Sequence, residues 1–262
     1  MASIISGEPH ERLEQISHLL LPPKMVPSDK TGRDVQSEHH ARPSASPVGT
    51  LWHVVSDGTE HRVLPDGVMD FVWTGDRLLF AGPDTVATSV TSPPGAVTWG
   101  LRLAPGVAHA LLAIPAEELV NERIDLADLV ALPRSIIDSA YDNPAISLND
   151  IARTLWQRTT IDPAELALAA SLDQAARAGR SVRDIAEQHG ISERSLHRLS
   201  NRLFGYGAKT LMSIRRFQRA LRLARSGTPL AETAALVGYA DQPHLARETR
   251  RLAGTTLSDL LN

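Results

Sequence analysis

Six side chains in the last third of the chain have the types and spacing to make hydrogen bonds to the edge of a flat, polar partner. Arg194, His197 and Arg198 recur at i, i+3 and i+4, so a helix places them on one face. Gln242, His244 and Arg247 stand in a second stretch of similar build. An arginine fork bonds guanine O6 and N7 in two places, and His and Gln bond acceptors or adenine. Around them stand Arg183, Ser192, Arg202, Lys209, Arg250 and Arg251. These donors suit phosphate oxygens, which add affinity and salt dependence without sequence information.

Such residues read base edges only if the helix that carries them is held by its opposite face. The sequence supplies that face twice. Ser181 stands three residues before Asp184, a capping-box start, and the short helix to His189 buries Val182, Ile185 and Ala186. Gly190 ends it, Ile191 plugs the turn, Ser192 caps the next helix, and Leu196, Leu199 and Leu203 form the buried face. A long helix over about residues 208–224 follows, with Leu211, Ile214, Phe217 and Leu221 as its stripe. Its Arg215 and Arg219 fit DNA contact or pairing with Glu187 or Glu232 equally well. Thr228-Pro229 then predicts a cap followed by proline at the first helical position. The pattern Ala234 to Tyr239 echoes Ala186 to Ile191, and Gln242 to Leu252 echoes the second helix, with one extra turn residue. Leucine and arginine recur at matched places, Leu196 with Arg198 and Leu245 with Arg247. Two helix-turn-helix units joined by one long helix are more specific than either unit alone.

Residues 163–262 resemble the DNA-binding domain of the AraC/XylS family of bacterial regulators. The resemblance is carried by Ser181 to Ala186, Ile191 to Arg198, Phe217 to Leu221, and Val237 to Arg247. It implies a seven-helix domain whose two reading helices enter successive major grooves on one face of double-stranded DNA. It also implies RNA polymerase as a partner for an activator. The sequence departs from the family where an aromatic is usual, at Ser200 and Thr249, and where proline is usual, at Leu257.

Net charge is −3, yet it is unevenly spread. From Pro163 onward the chain carries 15 basic and 9 acidic side chains, against 12 and 21 before it. A basic C-terminal part on an acidic N-terminal part fits a polyanion-binding module joined to one that does not touch DNA. Residues 1–48 read as a mobile arm, rich in Ser, Pro and charge from Ser28 to Pro47, with a short helix at Glu11 to Leu21; His39-His40 lies within it.

Residues 49–160 read as a β-rich sensor or dimerisation domain with trailing helices. Strands are expected at Leu51–Val55, His61–Leu64, Met69–Trp73, Arg77–Phe80, Val86–Val90 and Val97–Leu103, with turns at Asp57-Gly58 and Pro65-Asp66-Gly67. Helices are expected from Val107, with one over about residues 147–159. This half resembles the sensor module that precedes such DNA-binding domains in many actinobacterial-type regulators. The residues are Leu64 to Gly67, Met69 to Trp73, Ala81 to Thr85, Gly100 to Arg102, Pro105-Gly106, Leu112 and Pro115 to Leu119. That implies a cupin-like fold. The fold class is thus α+β, a small β-barrel or sandwich with flanking helices before an all-α domain.

Trp52, Phe71, Trp73 and Trp99 fit a core most economically, and with Asp70 and Arg102 they are also the candidate lining of an effector pocket. Arg102 is placed to pair with Asp70 or to hold an anionic effector. His53, His61 and Asp70 lack a diagnostic metal spacing, so no metal and no cofactor is expected. Cysteine is absent, which excludes a thiolate nucleophile and fits a reducing cytoplasm. No G-x-S-x-G motif or phosphate loop is present, so an enzyme is not expected. No signal peptide or membrane span is legible. The expectation is an effector-responsive, homodimeric regulator of transcription. The alternative is a constitutive or architectural DNA-binding protein.

Overall fold

The computed structural model describes residues 48–261, so the arm expected before them lies outside the described residues. Among the described residues there are seven strands: β1 (Gly49–Val55), β2 (Glu60–Val63), β3 (Asp70–Trp73), β4 (Leu78–Ala81), β5 (Thr88–Thr91), β6 (Val97–Leu103) and β7 (Arg123–Asp125). Five form an antiparallel sheet in the order β1-β6-β3-β4-β7, while β2 and β5 pair as a separate ribbon. The first six lie where β propensity and turn residues predict them. β7 was not foreseen: three residues between helical patterns give no alternation to detect.

Alternation along the strands assigns the two faces of the sheet. In β3, Phe71 and Trp73 are buried and Asp70 and Val72 half-buried, because successive side chains point to opposite faces. Phe71 sits directly opposite Phe80 of β4 and Leu101 of β6, and the two phenyl rings meet edge to face at 6.2 Å. Helices α1 (Val107–Leu112) and α4 (Pro144–Arg158) supply Val107, Leu111, Leu148, Ile151, Leu155 and Trp156 to this core. Two short helices, α2 (Leu126–Leu129) and α3 (Arg134–Ser139), lie between them, after a 3-10 turn over Ala116–Leu119. Each large apolar side chain so buried is worth about 1.5–3 kcal/mol.

The second half is all helix: α5 (Pro163–Ala178), α6 (Val182–Gln188), α7 (Glu193–Phe204), α8 (Ala208–Arg225), α9 (Leu230–Val237) and α10 (Gln242–Ala253). The seventh helix of the resembling family is represented among the described residues by a final turn, with the Leu260 amide donating to the Thr256 carbonyl. Two cores share α8. One joins Leu172, Ile185, Leu196, Leu203, Phe204, Leu211, Ile214 and Phe217, with Leu252 and Ala253 from the end of α10. The other joins Leu221, Ala234, Val237, Tyr239, Leu245 and Leu257. The architecture is α+β, a β-sheet part with flanking helices followed by an all-α part. Among the described residues, no helix is long and apolar enough to cross a membrane.

Candidate nucleic-acid interface

Both helix-turn-helix units are built by the same local bonds. In the first, the Ile191 amide donates to the Ala186 carbonyl at 3.0 Å and the Gly190 amide to Glu187 at 3.1 Å. In the second, Tyr239 donates to Ala234 at 2.9 Å and Gly238 to Ala235 at 3.1 Å. This is a Schellman closure, which needs a left-handed residue, and Gly190 (φ 62°) and Gly238 (φ 84°) supply it. The second helix of each unit then starts on a side-chain cap. The Ser192 hydroxyl accepts from the Ser195 amide at 3.1 Å, and the Asp241 carboxylate from the His244 amide at 2.6 Å. Ser181 and Asp184 form the expected capping box on α6. At α9, proline stands at the cap itself, one place earlier than expected.

The buried faces of α7 and α10 superimpose in register. Leu196, Ser200 and Leu203 are buried, and 49 residues on so are Leu245, Thr249 and Leu252. The two hydroxyls that replace aromatics bond to backbone: Ser200 donates to the Tyr206 carbonyl at 2.7 Å and Thr249 to the Leu245 carbonyl at 2.9 Å. Leu203, Phe204 and Leu252 belong to one core, each at most 1% exposed.

The same register makes Arg198 and Arg247 equivalent, whereas Arg194 falls opposite Pro243, Glu193 opposite Gln242 and Ser195 opposite His244. Arg194, Arg198, Gln242 and Arg247 are all exposed. The two histidines are engaged locally. The His197 ring lies over Gly207, where a Cβ would stand 2.2 Å from Nδ1, and its Nε2 is 3.5 Å from the Asn201 amide. The His244 ring meets Tyr239 edge to face at 5.1 Å, and its Nδ1 lies 3.4 Å from the Ala240 amide. Tyr239 also carries the Arg216 guanidinium 5.4 Å from its ring centroid, and burial pushes its phenol up to about 12.

The phosphate candidates divide into two kinds. Arg183 pairs with Glu187 at 2.8 Å, Arg202 with Glu165, and Arg251 with Glu248 at 2.8 Å. Among the described residues, Lys209 and Arg250 make no ion pair, nor do Arg194, Arg198 and Arg247. Ser192 is committed to the α7 cap. On α8, Arg215 is only 5% exposed and pairs with Asp173, not with Glu187 or Glu232. Arg219 donates to the Leu236 carbonyl at 3.1 Å, closing the second unit.

The six candidate pocket residues fall on two faces of the sheet. Phe71 and Trp73 are in the core, Trp73 edge to face with Tyr141 at 4.8 Å, and Trp99 stacks on His53 at 4.7 Å. Trp52, Asp70 and Arg102 share the opposite, half-open face. There the Trp52 indole donates to the Asp70 carboxylate at 2.8 Å, and Arg102 pairs with Asp66 at 2.8 Å and approaches Asp70 at 3.6 Å. Burial raises the Asp70 carboxyl above the usual carboxylate range, against the pull of Arg102. Among the described residues, no group of three or more His, Cys, Asp or Glu is placed to hold a metal ion.

Residues 185–262 match a family described as a helix-turn-helix domain, and residues 45–125 match a domain of unknown function, DUF6597. No curated protein sequence matches the chain. Among solved structures, ToxT from Vibrio cholerae O395 is 9% identical with a TM-score of 0.44, covering 80% of this chain and 95% of that one. Unsaturated fatty acid bound ToxT from Vibrio cholerae strain SCE256 is 9% identical with a TM-score of 0.44, covering 82% and 94%. A P21 crystal form of ToxT from Vibrio cholerae gives 10%, 0.42, 86% and 97%.

Proposed function

We propose that this chain, whose residues 185–262 are a helix-turn-helix domain, is a sequence-specific regulator of transcription of the AraC/XylS type. It reads double-stranded DNA in two successive major grooves with α7 and α10. The supporting observation is the repeat itself: two capped helices, each locked by the same buried leucines, each presenting an arginine in the same register on the exposed side. Arg198 and Arg247 are the principal base readers, joined by Arg194 and Gln242, with His197 and His244 reaching bases from packed positions. Lys209 and Arg250 bind phosphate first, while Arg183, Arg202 and Arg251 must first leave an acidic partner. Units about 34 Å apart span adjacent grooves, so one subunit reads a non-palindromic site.

The β part acts as sensor and homodimerisation module. A small-molecule effector that lodges on the face carrying Trp52, Asp70 and Arg102 acts through different affinities for two states of the protein. An activator of this type also touches RNA polymerase.

The test is selection of bound sequences from a random DNA pool with the full-length chain, followed by titration of the winner against scrambled DNA at fixed salt. A two-element motif one helical turn apart, bound about a thousandfold tighter or more than scrambled DNA, supports the reading. Equal affinity for both DNAs would leave an architectural binder instead.

A further inference from the structure

The two helix-turn-helix units meet along α8 and at the end of α10, where Leu252 and Ala253 join the core of the first unit, so the separation and phase of α7 and α10 depend on every contact that holds that end in place. Two segments of the β part run across both units. The first is residues 62–67. The Arg62 guanidinium donates to the Ala253 carbonyl at the end of α10 at 2.6 Å. Leu64 packs against both helical cores. The Pro65 carbonyl accepts from Gln218 of α8 at 2.6 Å. The carbonyls of Asp66 and Gly67 accept from Arg215, itself paired with Asp173 of α5.

The second segment is residues 83–87. Pro83 lies against Gly205, the left-handed cap of α7, where a Cβ would stand 2.5 Å from the proline ring. Four residues on, the Ala87 amide donates to the Leu252 carbonyl of α10 at 2.7 Å. The carbonyls of Leu252 and Ala253 belong to the last turn of α10 and have no partner within the helix, so the β part completes that helix end. The Arg62 charge also complements the negative end of its dipole.

We infer that segments 62–67 and 83–87 are straps that set the separation and phase of the two reading helices. Arg62 and Gln218 are then positioning residues that determine which spacing between two DNA elements the protein accepts. The inference rests on the two-groove reading proposed above. It follows from geometry: one added base pair shifts an element by about 3.4 Å and turns it by about 35° around the duplex. A rigid pair of reading helices cannot follow that shift, and a pair held only by α8 and the packed end of α10 follows it in part.

The experiment uses the full chain and a set of duplexes in which the two selected elements are moved apart or together by one and two base pairs. Thermal melting checks that each variant is folded. The wild type should lose about tenfold or more in affinity per base-pair shift. Arg62→Ala combined with Gln218→Ala should bind the original spacing somewhat more weakly, and its discrimination between spacings should fall to about threefold or less. Arg62→Lys, which keeps the charge and a donor, should restore much of the preference. Arg62→Ala alone, at an exposed side chain, gives the same comparison if the double variant does not fold. A folded variant that keeps the wild-type spacing preference overturns the inference and leaves the two-groove reading intact. A wild type that selects only one element overturns that reading, and the inference with it.

Discussion

Arg198 and Arg247 are equivalent positions, and their substitution should act separately. Arg198→Ala should relax one half of the selected motif and Arg247→Ala the other, each costing about 1–3 kcal/mol of discrimination, as read by competition against point-substituted duplexes. Loss of Lys209 or Arg250 should weaken binding to all sequences alike and reduce the slope of log affinity against log salt by about one. Removing Arg183 should change it less, since that charge already faces Glu187. In the β part, Asp70 is the informative titration. Its carboxyl, raised by burial, should show an NMR midpoint above 3.8, and Arg102→Gln should raise it further by removing the nearest cation. The sign for stability follows. The folded form holds this proton more tightly than the unfolded chain, so its contribution to stability falls as pH rises from 3.8 through the raised value. The exposed arginines were legible because a motif surrounds them. Arg215 was not: its partners include backbone carbonyls about 150 residues away, and a carbonyl leaves no trace in composition.

At the scale of elements, the signals that read true were those with a local cause. Caps at Ser181 and Ser192, the glycine turns, and the 49-residue echo of leucines all act within a few residues of themselves. Ser181→Ala should cost about 1 kcal/mol, since it removes one half of a reciprocal cap. The same change should release Asp184 in part, since the Ser181 hydroxyl, the larger of the two causes that hold it below its ordinary value, is lost while the backbone amide remains. The departures at Ser200 and Thr249 look damaging in the sequence and are not so in the fold. Ser200→Ala should nonetheless lower stability by about 1–3 kcal/mol in a denaturant melt, because the Tyr206 carbonyl is left buried without its donor. What the sequence hid at this scale was β7, too short to show a period, and the split of the pocket candidates. The second was available in principle: in Asp70-Phe71-Val72-Trp73, alternation alone puts Asp70 and Trp73 on opposite faces.

At the scale of the whole molecule, the charge division between the halves forecast two parts and gave no hint of how closely they join. The helical part on its own loses the carbonyl partners of Arg215 and the partners of Gln218, Leu252 and Ala253. Residues 163–262 expressed alone should therefore melt at a lower temperature than the full chain, with weaker hydrogen-exchange protection at the end of α10 than at its start. The full chain should unfold in one transition, because Leu64 belongs to both helical cores at once.

The placement of Arg62 to Gly67 also bears on the birth of the protein. A ribosome delivers the chain from its N-terminus, and domains generally fold in that order. The segment that receives Arg215 is made about 150 residues before Arg215 itself. The sheet can thus be complete, with the Pro65, Asp66 and Gly67 carbonyls in the loop before β3, before α8 and α10 emerge. Each helix-turn-helix unit then condenses onto a finished surface, and the nascent chain carries its own jig for the pair.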